Sequence, residues 1–116
     1  MKKRKVYISG PISGIDRSEY MQRFAAAQHR LHLHAFKRVC NPTRVWACRW
    51  PKFYKLLERL FGKQGAYYLV LLYDLWLMLR CTDILMLNNY QNSRGACIER
   101  YVATKFGLNF IKGVNV

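Results

Sequence analysis

Acidic side chains are scarce in this sequence. Only 6 Asp and Glu stand against 20 Lys and Arg, for a formal net charge of +14. Such a balance favours polyanionic partners: nucleic acid, a phosphorylated ligand or an anionic surface. It says nothing about fold, but it leaves few carboxylates, and each can be questioned singly. Cysteine occurs four times, at Cys40, Cys48, Cys81 and Cys97, without any CxxC pair. With 52% hydrophobic residues the chain can build a core without a disulfide framework, so reduced cysteines in a cytoplasmic protein are expected. A membrane span is also missing. The run Ala66 to Leu79 holds 14 residues, interrupted by Asp74, where a span needs about 20. It reads as a buried helix, and membrane insertion is not expected. The basic start Met1-Lys2-Lys3-Arg4-Lys5 is followed by too short an apolar run for a secretion signal. Repeats and low-complexity linkers are absent, and 116 residues suit one domain over 1–116.

What is present alternates between strands and helices. Val6-Tyr7-Ile8-Ser9 reads as a buried strand stopped by Gly10-Pro11. Asp16 and Glu19 read as a capping box, opening a helix that carries apolar residues at Met21, Phe24, Ala25 and Leu31 and runs to about His32. A second strand is expected near Phe36 to Cys40, before Asn41-Pro42. Residues 43–65 are harder to place, with a basic amphipathic helix beginning near Pro51 and ending at Gly62. A further helix follows from about Ala66 to Arg80, then a strand at Ile84-Leu85-Met86-Leu87 and a polar loop from Asn88 to Arg94. Gly95 opens a last helix, Gly107 caps it, and Asn109-Phe110-Ile111 forms a final strand. This order predicts an α/β, Rossmann/flavodoxin-like three-layer sandwich with a four- or five-stranded parallel sheet.

In such sheets ligands sit beyond the carboxyl ends of the strands, where the strand order reverses. That rule selects two segments. Ser9-Gly10-Pro11-Ile12-Ser13-Gly14 offers backbone N–H groups and two glycines that allow close approach, although a Gly-Pro turn is more often only a turn. Ser93, Arg94 and Gly95 stand at a helix N-terminus suited to phosphate. Glu99 follows four residues after Gly95 and can face the same crevice, ionised by the positive end of the helix. Asp74 is a charge in an apolar run, so it is either a site residue or the partner of a buried Arg. Asp83 suits an anchor at the start of its strand. His29, His32 and His34 lack the Cys or carboxylate that would complete a metal site, and no metal or other cofactor is expected.

The segment Tyr7-Ile8-Ser9-Gly10-Pro11-Ile12-Ser13-Gly14 resembles the opening of nucleoside 2-deoxyribosyltransferase-like proteins. Ser93-Arg94-Gly95-Ala96-Cys97-Ile98-Glu99, followed by Ala103 and Phe106-Gly107, resembles their nucleophile helix. The match is closest to a phage and bacterial branch of unknown function with an SRGA-x-x-E signature. It covers roughly residues 5–42 and 73–111, leaving the Trp-rich stretch between them unmatched. The resemblance implies that Glu99 attacks C1′ of a sugar, that Asp74 is the acid/base or base-orienting group, and that Tyr7 orients the glutamate. Ser93 stands where related 2′-deoxynucleoside 5′-phosphate N-hydrolases carry a phosphate-binding serine, and Arg94 adds charge for such a ligand. One spacing departs from that pattern. The acid usually precedes the strand-opening aspartate by eight residues, whereas Asp74 and Asp83 are nine apart, a turn of about 100° on an ideal helix.

The expected activity is therefore hydrolysis or transfer at the N-glycosidic bond of a nucleoside or 5′-phosphorylated nucleotide, by a protein that the resemblance makes a homodimer. Two alternatives stand beside it. A non-catalytic protein on the same scaffold would bind or sequester a nucleotide. A nucleic-acid-binding accessory protein would use the basic surface, where Trp46, Trp50 and Tyr54 interleave with Arg44, Arg49 and Lys52, although amphipathic packing or a dimer contact is the better account of that cluster.

Overall fold

The computed structural model describes residues 4–10, 16–42, 51–88 and 90–111. Four strands, β1 (Val6–Ser9), β2 (Val39–Cys40), β3 (Asp83–Met86) and β4 (Asn109–Phe110), form one parallel sheet in the order β2-β1-β3-β4. Among the described residues, the helices α1 (Arg17–Leu33), α2 (Pro51–Leu79) and α3 (Arg94–Lys105) cover it. The chain is an α/β sandwich of the Rossmann/flavodoxin-like kind. β1 sends its connection to one neighbour, β2, and pairs on its other side with β3, so the strand order reverses between β1 and β3.

Side-chain alternation along β1 builds the three layers. Val6 and Ile8 face one side and pack with Leu85 and Leu87 against Phe24, Ala27 and Leu31 of α1. Those helix positions follow the i, i+3, i+7 spacing of a single face, with Ala27 rather than Ala25 in the core. Tyr7 faces the other side, where it packs with Met78 of α2, Ile84 of β3, Ala103 of α3 and Cys81. β3 opens on Asp83, which is fully buried and accepts hydrogen bonds from Arg4 at 3.2 and 3.4 Å and from the Thr82 hydroxyl at 2.9 Å. It anchors the strand start, as its position suggests.

The helix ends explain themselves. Asp16 is the N-cap of α1, but no capping box forms. Its carboxylate is taken by the nearer hydroxyl of Ser18, and Glu19 turns down the helix to Arg23 at 2.7 Å. Both α1 and α3 finish in Schellman motifs. In α3 the left-handed position is Gly107 (φ 75°), with Leu108 N–H donating to Ala103 O at 3.0 Å. In α1 the same position holds Ala35 (φ 68°), with Phe36 N–H donating to Leu31 O at 3.0 Å. α2 is broken at Gly62 (φ 78°, ψ 170°), where the sequence expects one helix to end. The chain resumes helical geometry at once rather than at Ala66, because no proline or second glycine stands directly after the break. Among the described residues, no helix is long and apolar enough to cross a membrane.

Candidate functional site

The site is built where the alternation of β1 meets the buried stripe of α3. Tyr7 and Ser9 are two apart on one strand and therefore project from the same sheet face. On α3 the buried residues are Ala96, Glu99 and Ala103, three and four apart on one stripe. The two alanines let the helix approach the sheet closely and carry the glutamate down between them. Glu99 is only 6% exposed. Tyr7 donates its phenolic proton to Oε2 of Glu99, and Ser9 donates its hydroxyl to Oε1 at 2.8 Å. Both carboxylate oxygens are thus held at the carboxyl end of β1, beside the reversal in strand order.

Asp74, on α2, supplies a second carboxyl. Asp74 is half-buried, and the charges of Glu99 and Cys40 act on its carboxyl as its own charge acts on Tyr7. Burial pushes its pKa up to about 8, reinforced by the negative charge of Glu99 and then that of Cys40. Burial likewise raises Glu99 to about 7, against the hydrogen bonds from Tyr7 and Ser9 that favour its ionised form. The expectation that the helix keeps Glu99 ionised therefore needs correction. Glu99 lies in the second turn of α3, beyond the first turn over which the helix charge acts, and desolvation outweighs it. Tyr7 itself stays protonated, its pKa raised by burial and next by the charge of Glu99. The two raised values belong to the pair of carboxyls, which titrate together.

The N-terminus of α3 lies close by. Ser93 is its N-cap, and its Oγ accepts from Ala96 N–H at 3.2 Å, so one of the helix amides is satisfied within the chain. Arg94 is exposed at the first helical position. Gly95 packs beneath α2: a Cβ there would stand 3.0 Å from the Tyr67 hydroxyl and 3.9 Å from Leu71 Cδ1. Gly10 ends β1 with a comparable close approach, since a Cβ on it would lie 2.7 Å from Leu87 Cδ1 and 2.8 Å from Leu87 Cβ. What the bare Gly10 backbone admits is the neighbouring strand's leucine. Pro11, Ile12, Ser13 and Gly14 lie outside the described residues, as do Arg44, Trp46, Arg49 and Trp50.

The match to a known family spans nearly all of this architecture: the family described as a domain of unknown function (DUF4406) matches residues 4–112. The chain belongs to DUF4406. No curated protein and no solved structure matches it. Within this DUF4406 chain, two neighbours of the carboxylates escape the sequence reading. Tyr67 is two helical turns before Asp74 on the same face of α2, a spacing that marks it as a candidate. Its phenol pKa is raised by burial, with Arg94 opposing and Glu99 adding to the rise. Cys40 ends β2 in register with Tyr7, a position that only the strand order reveals. His29, His32 and His34 are exposed around the end of α1, with His32 Nδ1 2.9 Å from Phe36 O. Among the described residues no three His, Cys, Asp or Glu side chains gather as a metal site.

Proposed function

We propose that this DUF4406 chain cleaves or transfers at the N-glycosidic bond of a nucleoside or a 5′-phosphorylated deoxynucleotide. One observation carries the reading: a buried glutamate is held at both oxygens by Tyr7 and Ser9, and a second, half-buried carboxyl, Asp74, has its pKa raised to about 8 by desolvation and the charge of Glu99. Two carboxyls with separated proton affinities are what retaining glycosyl chemistry requires. In its ionised form Glu99 attacks C1′ and the bond to the base breaks. Asp74 delivers its proton to the departing base nitrogen. A glycosyl ester on Glu99 remains, and water or a second base displaces it with return of the configuration at C1′. Tyr7 and Ser9 set the direction of the attacking oxygens and spread the charge that returns to the carboxylate on displacement. The likeness of both motifs to nucleoside 2-deoxyribosyltransferase-like proteins supports this reading. The exposed Arg94 beside Ser93 supports a 5′-phosphate on the ligand.

The test is free base, measured chromatographically after incubation with nucleosides, deoxynucleotides and NAD-like dinucleotides, with Glu99→Gln as control. Release by the native protein and not by Glu99→Gln is the expected result. Binding without release would make the chain a nucleotide-sequestering protein and end the enzyme reading. The same reading carries a homodimer, supported by Leu69, Leu72 and Trp76, which α2 exposes to solvent. Sedimentation equilibrium tests it, and a monomer at micromolar concentration would exclude it.

A second reading has one observation in its favour. Arg4, His34, Lys37 and Arg38 line a concavity of about 460 Å³ around Phe36, at the edge of the fold away from the carboxylates. On a chain of net charge +14 that arrangement suits the phosphates of a nucleic acid. Salt-dependent oligonucleotide binding, lost on Lys37→Glu with Arg38→Glu, would support it. Retention of binding in that double variant would exclude this surface.

A further inference from the structure

The proposed chemistry leaves unused a pair of cysteines beside the carboxylates. Cys40 closes β2 and stands in register with Tyr7 across the sheet. Cys81 lies in the turn between α2 and β3, 4% exposed, in the same apolar cluster as Tyr7, Met78, Ile84 and Ala103. Cys40 packs against that cluster from its edge and is only half buried. Cys81 donates its thiol to Leu77 O at 3.4 Å, and the two sulfurs share one cluster closely enough for each to shift the other's proton affinity. They are 41 positions apart in sequence and meet at one cluster built by strand pairing and helix packing. We propose that Cys40 and Cys81 form an oxidisable dithiol, a modification site for peroxide-class oxidants, whose disulfide ties β2 to the α2–β3 turn next to Tyr7.

The asymmetry of the pair assigns the order of events. Cys40 is the accessible sulfur, and its pKa is lowered, first by Cys81 and further by Lys5, against its own burial. Cys81 keeps its proton, chiefly through Cys40 and next because it is buried. The Cys40 thiolate attacks one oxygen of hydrogen peroxide, the O–O bond breaks, and Cys40 becomes a sulfenic acid while hydroxide leaves. Cys81, losing its proton to that hydroxide, attacks the Cys40 sulfur. The S–S bond forms and the sulfenic oxygen departs as water after protonation. Two thiols lose two electrons in total, and one peroxide is reduced to two waters. Cys97 is exposed, and its sulfur lies 3.6 and 3.8 Å from the Tyr90 and Gln91 carbonyls.

A disulfide here closes a long loop, which constrains the unfolded chain strongly and raises the melting temperature by several degrees. The experiment uses the full chain carrying Cys48→Ser and Cys97→Ser, titrated with hydrogen peroxide and followed by thiol counting, peptide mass mapping and thermal melting. The expected result is loss of both remaining thiols, one crosslinked peptide pair containing Cys40 and Cys81, a rise in Tm, and full reversal by dithiothreitol. Cys40→Ser should leave Cys81 reduced under the same titration. Cys81→Ser should stop Cys40 at the sulfenic acid, which is trapped by dimedone. Over-oxidation of Cys40 to sulfinic acid in the presence of Cys81, or a Tm that falls on crosslinking, would overturn the proposal. Should either serine variant fold poorly, differential iodoacetamide labelling of the unsubstituted chain decides. Cys40 must react first, and peroxide treatment must protect Cys40 and Cys81 together.

Discussion

Tyr7 and Glu99, 92 residues apart in the chain, are joined by a hydrogen bond from the phenol to Oε2, while Ser9 of the same strand holds Oε1 at 2.8 Å. These two donors are what favour the ionised carboxylate inside the protein, and burial is what opposes it. Removing a donor therefore has a definite sign. Tyr7→Phe and Ser9→Ala should each raise the Glu99 pKa above its value of about 7. Each should also cost about 1–3 kcal/mol once Glu99 is ionised, because a buried acceptor loses its partner. Infrared titration of the carboxyl stretch, with urea unfolding at alkaline pH, measures both. An unchanged Glu99 titration in both variants would show that the hydroxyls do not hold the charge.

Stability should fall as pH rises. Glu99 and Asp74 bind protons more tightly in the folded chain than in the unfolded one, with pKa values raised to about 7 and about 8 from 4.5 and 3.8. Their favourable contribution is complete below the unfolded values, shrinks between about pH 4 and pH 8, and is gone above that window. For Glu99 alone the change is on the order of 3 kcal/mol. Glu99→Gln should thus be more stable than the native chain at alkaline pH and have a flatter stability profile. A native profile that rises across this window would contradict the raised pKa of both groups.

The proposed chemistry has a narrow pH optimum. Attack needs Glu99 ionised and departure of the base needs Asp74 protonated, so the rate should peak between about pH 7 and 8, the values belonging to the pair. Asp74→Asn should lower base release by roughly 10²–10⁴-fold and remove the alkaline limb. Substrates with a leaving group that needs no protonation should recover most of that loss. Equal loss for all leaving groups would remove Asp74 from the role of acid.

The contact of Gly10 with Leu87 gives a packing prediction. Gly10→Ala places a methyl 2.8 Å from Leu87 Cβ, an atom that cannot swing aside. The expected destabilisation is about 1–3 kcal/mol. Adding Leu87→Ala should recover part of it, so that a double-mutant cycle by urea unfolding shows coupling. Simple additivity would mean that the strand ends separate without cost.

Ala35 offers the opposite opportunity. It occupies the left-handed end of α1 with φ 68°, where an L side chain crowds the backbone and glycine does not. Ala35→Gly should stabilise the chain by about 0.5–1 kcal/mol, and Gly107→Ala at the matching end of α3 should destabilise it similarly. Thermal melts of the two variants should move in opposite directions.

Local rules made much of this architecture legible. Val6–Ser9 is apolar and stopped by Gly10, the α1 core positions repeat at helical spacing, and Gly62 and Gly107 lie where the chain breaks or ends a helix. Those features act over a few residues, so a sequence displays them directly. The capping box at Asp16 and Glu19 failed for an equally local reason, because Ser18 and Arg23 compete for the same carboxylates. The chain itself also determined its scarcity of acids, which singles out Asp74 and Glu99.

Only the tertiary structure decided what those acids experience. The order β2-β1-β3-β4 puts Tyr7 and Ser9 under α3, and Ala96 and Ala103 let Glu99 descend far enough to lose its water. A charge state is set by the solvent and dipoles around a group, which are contributed by segments distant in sequence. For that reason the sequence proposes an ionised Glu99, while the fold raises its pKa to about 7 and that of Asp74 to about 8. The meeting of Cys40 with Cys81 has the same origin: strand pairing and helix packing, not spacing, bring the two sulfurs together.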